Sequence, residues 1–163
     1  MATDLLLEAV RAAAAELDTD KRAWVIGIGR LGDNEGQPML DVNQIHEVLQ
    51  ALYENGDYPL GPMAYAPDYQ RAEVNPIYHM VTLEHHREGR PYLETKIGFG
   101  IAGYVAQGFT RSGILEDHEY EPSHVLLVDV EALIADTATL LVQVALAQGY
   151  LGPCALIIGV VSD

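Results

Sequence analysis

The glycine pattern Gly98-x-Gly100-x-x-Gly103 constrains the interpretation of this chain most, because it has the spacing of a dinucleotide-binding turn. Such a turn joins a buried parallel strand to the N-terminus of a helix. The run before the pattern carries Glu94 and Lys96, whereas a central parallel strand is apolar on both faces. We therefore interpret these glycines as a tight turn where two stretches of backbone approach closely, and keep nucleotide binding as the alternative.

A second copy of the pattern occurs upstream, at Gly27, Gly29 and Gly32. An apolar strand precedes this copy, but the residues that follow it, DNEGQP, are typical of a turn. Without a helix N-terminus there is neither a dipole nor a row of free amides for a pyrophosphate. The upstream copy is therefore not a nucleotide-binding motif.

Five segments in the first two thirds of the chain have the pattern of regular structure, and one of them is a second helix that Asp41 would cap and Asn55-Gly56 would end. The N-terminal residues predict an amphipathic helix, and residues 23–28 indicate a buried strand. Residues 77–84 and 91–97 read as two strands joined by a polar turn, which predicts an antiparallel hairpin.

The C-terminal third predicts a βαβ-like unit over residues 125–161. A first strand would end near Asp129, which would cap a helix that ends at Gly149, and a fully buried strand containing Cys154 would follow. We therefore predict a single α+β domain over residues 1–163. It would have a mixed β-sheet with an antiparallel hairpin and this βαβ-like unit, and its helices would pack on the sheet.

The excess of acidic residues is the compositional feature that says most about a binding partner. The chain has 24 acidic and 9 basic residues, a formal net charge of −15. Nucleic acid and anionic membranes are bound through Lys and Arg, so neither is expected as a partner. A basic protein is the natural electrostatic complement, although acidity also serves solubility alone. With one cysteine and no signal peptide, we expect a cytoplasmic protein.

Residues 57–76 contain four prolines and show neither helical nor strand periodicity, which predicts a long irregular loop. The loop also contains Tyr58, Met63, Tyr65 and Tyr69. Tyrosine and methionine are enriched in the cores of protein interfaces, so we predict that these four residues bind the partner. The alternatives are that the tyrosines cover the sheet or pack in a homodimer contact.

Catalytic and metal-binding chemistry finds less support in the sequence. His79, His85 and His86 could supply metal ligands from the hairpin, but no His-Glu-x-x-His motif or Cys/His ligand set is present. No nucleophile elbow or phosphate loop occurs either. We therefore expect no cofactor and no catalytic residues.

The resulting hypothesis is a non-enzymatic acidic domain that binds a basic protein, of the inhibitor, immunity or chaperone kind. The alternative is a small nucleotide- or metal-dependent enzyme or ligand-binding domain that uses the Gly98–Gly103 turn or the histidines.

Overall fold

A computed structural model of the chain describes residues 2–17, 19–20, 22–32, 44, 47, 71–75, 80–87, 90–98, 104–110 and 123–162. Two helices have their bounds in these ranges, α1 (Ala2–Glu16) and α2 (Leu127–Ala147), and Gln44 and Glu47 are helical as well. The strands are β1 (Trp24–Leu31), β2 (Arg71–Asn75), β3 (Met80–Arg87), β4 (Arg90–Gly98), β5 (Tyr104–Phe109) and β6 (Cys154–Val161). The protein therefore belongs to the α+β class.

The strands form one six-stranded sheet in the order β2-β3-β4-β5-β1-β6. Every neighbouring pair among the described strands is antiparallel. The predicted hairpin is present as β3 and β4, with a shift of register between His85 and His86. The prediction of a mixed sheet is wrong for these strands.

Strand β1 is buried on both faces because a helix covers each of them. Trp24, Ile26 and Ile28 form a core on one face, against which α1 packs through residues that include Val10 and Ala13. α2 lies across the other face, over β1 and β5, and also reaches β6. Apolar side chains at alternate positions therefore meet α1, and the positions between them meet α2.

The predicted βαβ-like unit is not formed, because α2 begins at Leu127 and occupies most of the expected first strand. Asp129 is buried in the first turn of this helix and does not cap it; Leu126 is the N-cap residue and makes no side-chain cap hydrogen bond. Asp129 precedes the buried Leu133 by four residues, so one helical stripe includes both. A short apolar run fits a strand or a buried helix turn equally well, which explains the wrong prediction.

The end of α2 is as predicted. Gly149 has a φ of 65°, in the left-handed region that glycine adopts at little cost. Its N–H donates to the carbonyl of Leu146, and the N–H of Tyr150 donates to the carbonyl of Ala145 over 2.8 Å. These two bonds form a Schellman motif, which satisfies carbonyls at the helix end and turns the chain toward β6.

Two further predictions fail because strand pairing, and not local sequence pattern, decides the outcome. Residues 71–75 were expected to belong to the irregular loop, but they form β2, whose five residues pair with β3. β6 was expected to be fully buried, but it lies at the edge of the sheet and Cys154 is exposed. Pairing with a distant strand decides both outcomes, and local periodicity does not report it.

Candidate functional site

The upstream glycine copy lies in β1, where it forms a seat for α2. A Cβ on Gly27 would collide with the Thr137 hydroxyl, and a Cβ on Gly29 would stand 2.8 Å from a methyl group of Leu141. Real Cβ atoms essentially never approach other atoms so closely. Thr137 and Leu141 are one helical turn apart, so consecutive turns of α2 rest on the two glycines.

The third glycine of this copy, Gly32, lies where the end of β1 meets the start of β6. Its N–H donates to the carbonyl of Pro153 over 3.0 Å, and the Tyr150 hydroxyl donates to the same carbonyl over 2.9 Å. A Cβ on Gly32 would stand 2.5 Å from that hydroxyl. All three upstream glycines thus allow close packing of neighbouring elements.

The downstream copy lies between two antiparallel strands. Gly98 ends β4 and pairs with Tyr104, the first residue of β5. Gly100 and Gly103 lie outside the described residues. A dinucleotide turn needs a helix after its glycines, and residues 104–109 form a strand. The described flanks of this turn therefore lack the helix N-terminus that a pyrophosphate would use.

The histidines are only partly brought together. His86 and Glu84 lie two residues apart on β3, and His86 Nε2 is 2.7 Å from Glu84 Oε2, with both side chains partly buried. His85 is also in β3, whereas His79 lies outside the described residues. Across the residues that the structure describes, no group of three or more His, Cys, Asp or Glu side chains could hold a metal ion.

The predicted partner-binding residues Tyr58, Met63, Tyr65 and Tyr69 all lie outside the described residues. The described part of the chain instead shows an apolar surface that the sequence interpretation missed. It consists of the outer face of α2, the α2–β6 connection and the end of β6. Its exposed large side chains include Leu127, Val128, Ile134, Val142, Leu146, Leu151 and Val160.

A signal for the part of this surface from Val142 to Val160 exists in the sequence, because no Asp, Glu, Lys, Arg or His occurs in residues 137–162. That is unusual in a chain whose charged fraction is 20%. Contiguous apolar patches on a protein surface are typical of sites of contact with another protein or a membrane.

α2 is also the one helix among the described residues that is long and apolar enough to cross a membrane, with a mean hydropathy of 1.6 over its best window. The core helix of a soluble protein can have the same length and composition. α2 carries the buried Asp129 and Asp136, and it packs on β1 through Thr137 and Leu141.

The described side chains thus include a seat for α2, a Glu84–His86 pair and the exposed apolar side chains of α2, the α2–β6 connection and β6. Comparison of the chain with models of protein families, with curated proteins and with solved structures finds no match.

Proposed function

We propose that this chain is a non-enzymatic acidic domain that binds a basic protein, of the inhibitor, immunity or chaperone kind, and works in the cytoplasm. The observation that carries the proposal is the net charge of −15, from 24 acidic and 9 basic residues. A charge of this size raises the encounter rate with a partner of opposite charge and disfavours nucleic acid.

Exposed carboxylates on the described helices support this proposal. Glu8 and Glu16 are exposed on α1, and Glu131 is exposed on α2. α1 and α2 cover opposite faces of the sheet, so these carboxylates place negative charge on both sides of it. Such a field steers a basic partner from a distance, while apolar and aromatic contacts supply most of the affinity.

The contact residues that we propose remain Tyr58, Met63, Tyr65 and Tyr69. Four prolines in residues 57–76 restrict the unbound backbone, so less conformational entropy is lost when this segment docks. The tyrosines offer large contact area with a polar edge, which suits the desolvated centre of an interface.

The experiment has two steps. Proteins that the chain retains from a cell extract are identified, and the best basic binder is purified for kinetic measurement against the chain. We expect the association rate to fall markedly from low to moderate salt, because salt screens opposite charges over about 8 Å at physiological strength. A rate that does not respond to salt would leave the charge with a solubilising role only.

The contact residues are tested with the same purified partner. We expect the Tyr65→Ala/Tyr69→Ala variant to lose more than about 2 kcal/mol of binding free energy, with an unchanged melting temperature. The Tyr65→Phe/Tyr69→Phe variant is the matched control, since it keeps the rings. A melting temperature lowered by several degrees with binding intact would place the tyrosines in the fold instead.

A further inference from the structure

The two edge strands of the sheet differ in length and in charged residues, and therefore in how well each tolerates exposure to water. β2 forms one edge; it has five residues, two of which are Arg71 and Glu73. β6 forms the other edge; it has eight residues, CALIIGVV, and none of them is charged. Proteins protect an exposed edge with short strands, charges, prolines or bulges. By this measure β2 is a protected edge and β6 is not.

β6 is also regular along its whole length. All eight residues pair with β1 without a shift of register, from Trp24 opposite Val161 to Leu31 opposite Cys154. Within the described ranges, no strand pairs with its outer side. Val160 is 54% exposed and Leu151, just before the strand, is 92% exposed. β6 is therefore exposed to solvent, although its uninterrupted apolar sequence is typical of a strand in the centre of a sheet.

We propose that the outer edge of β6 pairs antiparallel with β6 of a second copy of this chain. A two-fold axis through the centre of the pair makes both strands central in one continuous sheet. The interface is isologous, since each copy offers the same strand to the other. The backbone groups on the outer edge then gain hydrogen-bond partners, and the exposed apolar residues beside it lose contact with water.

The absence of charged side chains near this edge favours a second copy of the chain, and not a basic protein, as its partner. Residues 137–162 contain no charged side chain, so they give a basic partner nothing to pair with. For the same reason, pairing of β6 with β6 brings no like charges together on these strands, although each chain carries −15 overall. The remaining long-range repulsion is screened by salt, so dimerisation strengthens as salt rises. Binding of a basic protein weakens under the same change, so the two proposals fail independently.

The first test is the molar mass of the purified chain by light scattering and sedimentation, at low and at physiological salt. We expect twice the 17.8 kDa of one chain, with a larger dimer fraction at the higher salt. A monomer at both salt concentrations, including at the highest soluble concentration, would overturn the proposal. A monomer that floats with neutral phosphatidylcholine vesicles would overturn it as well, and would assign the apolar surface to lipid.

The second test distinguishes dimerisation through the edge of β6 from dimerisation through the outer face of α2. Val160→Lys places a charge on the β6 edge, and Val142→Lys makes the same change at a residue of similar exposure on the outer face of α2. We expect Val160→Lys to weaken dimerisation at least tenfold and Val142→Lys to leave it nearly unchanged, with both variants folded by circular dichroism. The reverse pattern would mean that the copies associate through α2, which would contradict pairing through β6.

A third measurement needs no substitution. Cys154 is the one cysteine in the chain and is exposed, so a nitroxide spin label attaches there selectively. When two β6 strands pair centre to centre, Cys154 of one copy lies opposite Val161 of the other. The two labelled backbone positions are then one strand length apart, roughly 24 Å. A distance distribution centred far beyond that length would contradict antiparallel pairing of β6.

Discussion

Thr137 lies against Gly27 so closely that its hydroxyl occupies the space a Cβ on that glycine would need. One turn further along α2, Leu141 lies against Gly29 in the same way. A glycine pattern with the spacing of a nucleotide-binding turn thus serves the packing of a helix on a sheet. The physical reason is shared, since both uses require close approach to the backbone.

The first prediction concerns Gly29. Gly29→Ala should lower the free energy of unfolding by about 1–3 kcal/mol, because the new methyl group meets Leu141 and Val105 in a packed core. Gly159→Ala is the matched control on β6, where the nearest atom, on Val10, would be 3.4 Å away, close to an ordinary contact. Urea unfolding of both variants checks this, and equal effects would contradict the close packing at Gly29.

The fold could be predicted from the sequence where one segment carries its own pattern. α1, β1 and the β3–β4 hairpin were predicted because each has a periodicity that local chemistry decides. The start of α2 was wrong because residues 125–130 fit either a strand or a helix turn. The nucleotide-binding alternative requires a helix after Gly103, and the pairing of β5 with β1 and β4 decides against that helix.

The candidate site was harder to predict for a different reason. Exposure depends on which elements cover a segment, and β6 has the composition of a strand covered on both sides. The sequence therefore predicted a central strand for β6, and only its place in the sheet reveals the exposed edge. The absence of charge in residues 137–162 was visible, but a buried segment has the same composition.

The second prediction concerns the end of α2. Gly149→Ala should destabilise the protein by about 1–2 kcal/mol, because an L-residue with a Cβ is strained at a φ of 65°. Gly149→Asn should destabilise the protein less than Gly149→Ala does, since asparagine tolerates the left-handed region. Thermal unfolding compares the two variants. Equal losses would mean that the left-handed conformation of Gly149 does not determine the helix end.

The third prediction concerns Trp24, the single tryptophan of the chain, which is fully buried beneath α1. The guanidinium of Arg22 lies 5.2 Å from the centre of its ring. We expect blue-shifted fluorescence that acrylamide quenches poorly, and Trp24→Ala should lose about 3–5 kcal/mol of stability. Red-shifted emission that is readily quenched in the native protein would contradict this core.

The fourth prediction concerns nucleotides. NAD, FAD and ATP should not raise the melting temperature, because residues 104–109 form a strand where a dinucleotide turn requires a helix. A bound ligand at a hundred times its Kd would add about 2.7 kcal/mol, which a thermal shift detects easily. Stabilisation by one of these nucleotides that is lost in Gly100→Ala would restore the enzyme alternative.

The most direct test of the packing of α2 on β1 is a double-mutant cycle on Gly27 and Thr137. Gly27→Ala should destabilise the chain strongly, and adding Thr137→Ala removes the hydroxyl with which the new methyl group collides. We expect the double variant to be more stable than the sum of the single changes by about 0.5–3 kcal/mol, measured by urea unfolding. Additivity within about 0.5 kcal/mol would contradict the contact between these two residues, and with it the role of the glycines as a seat for α2.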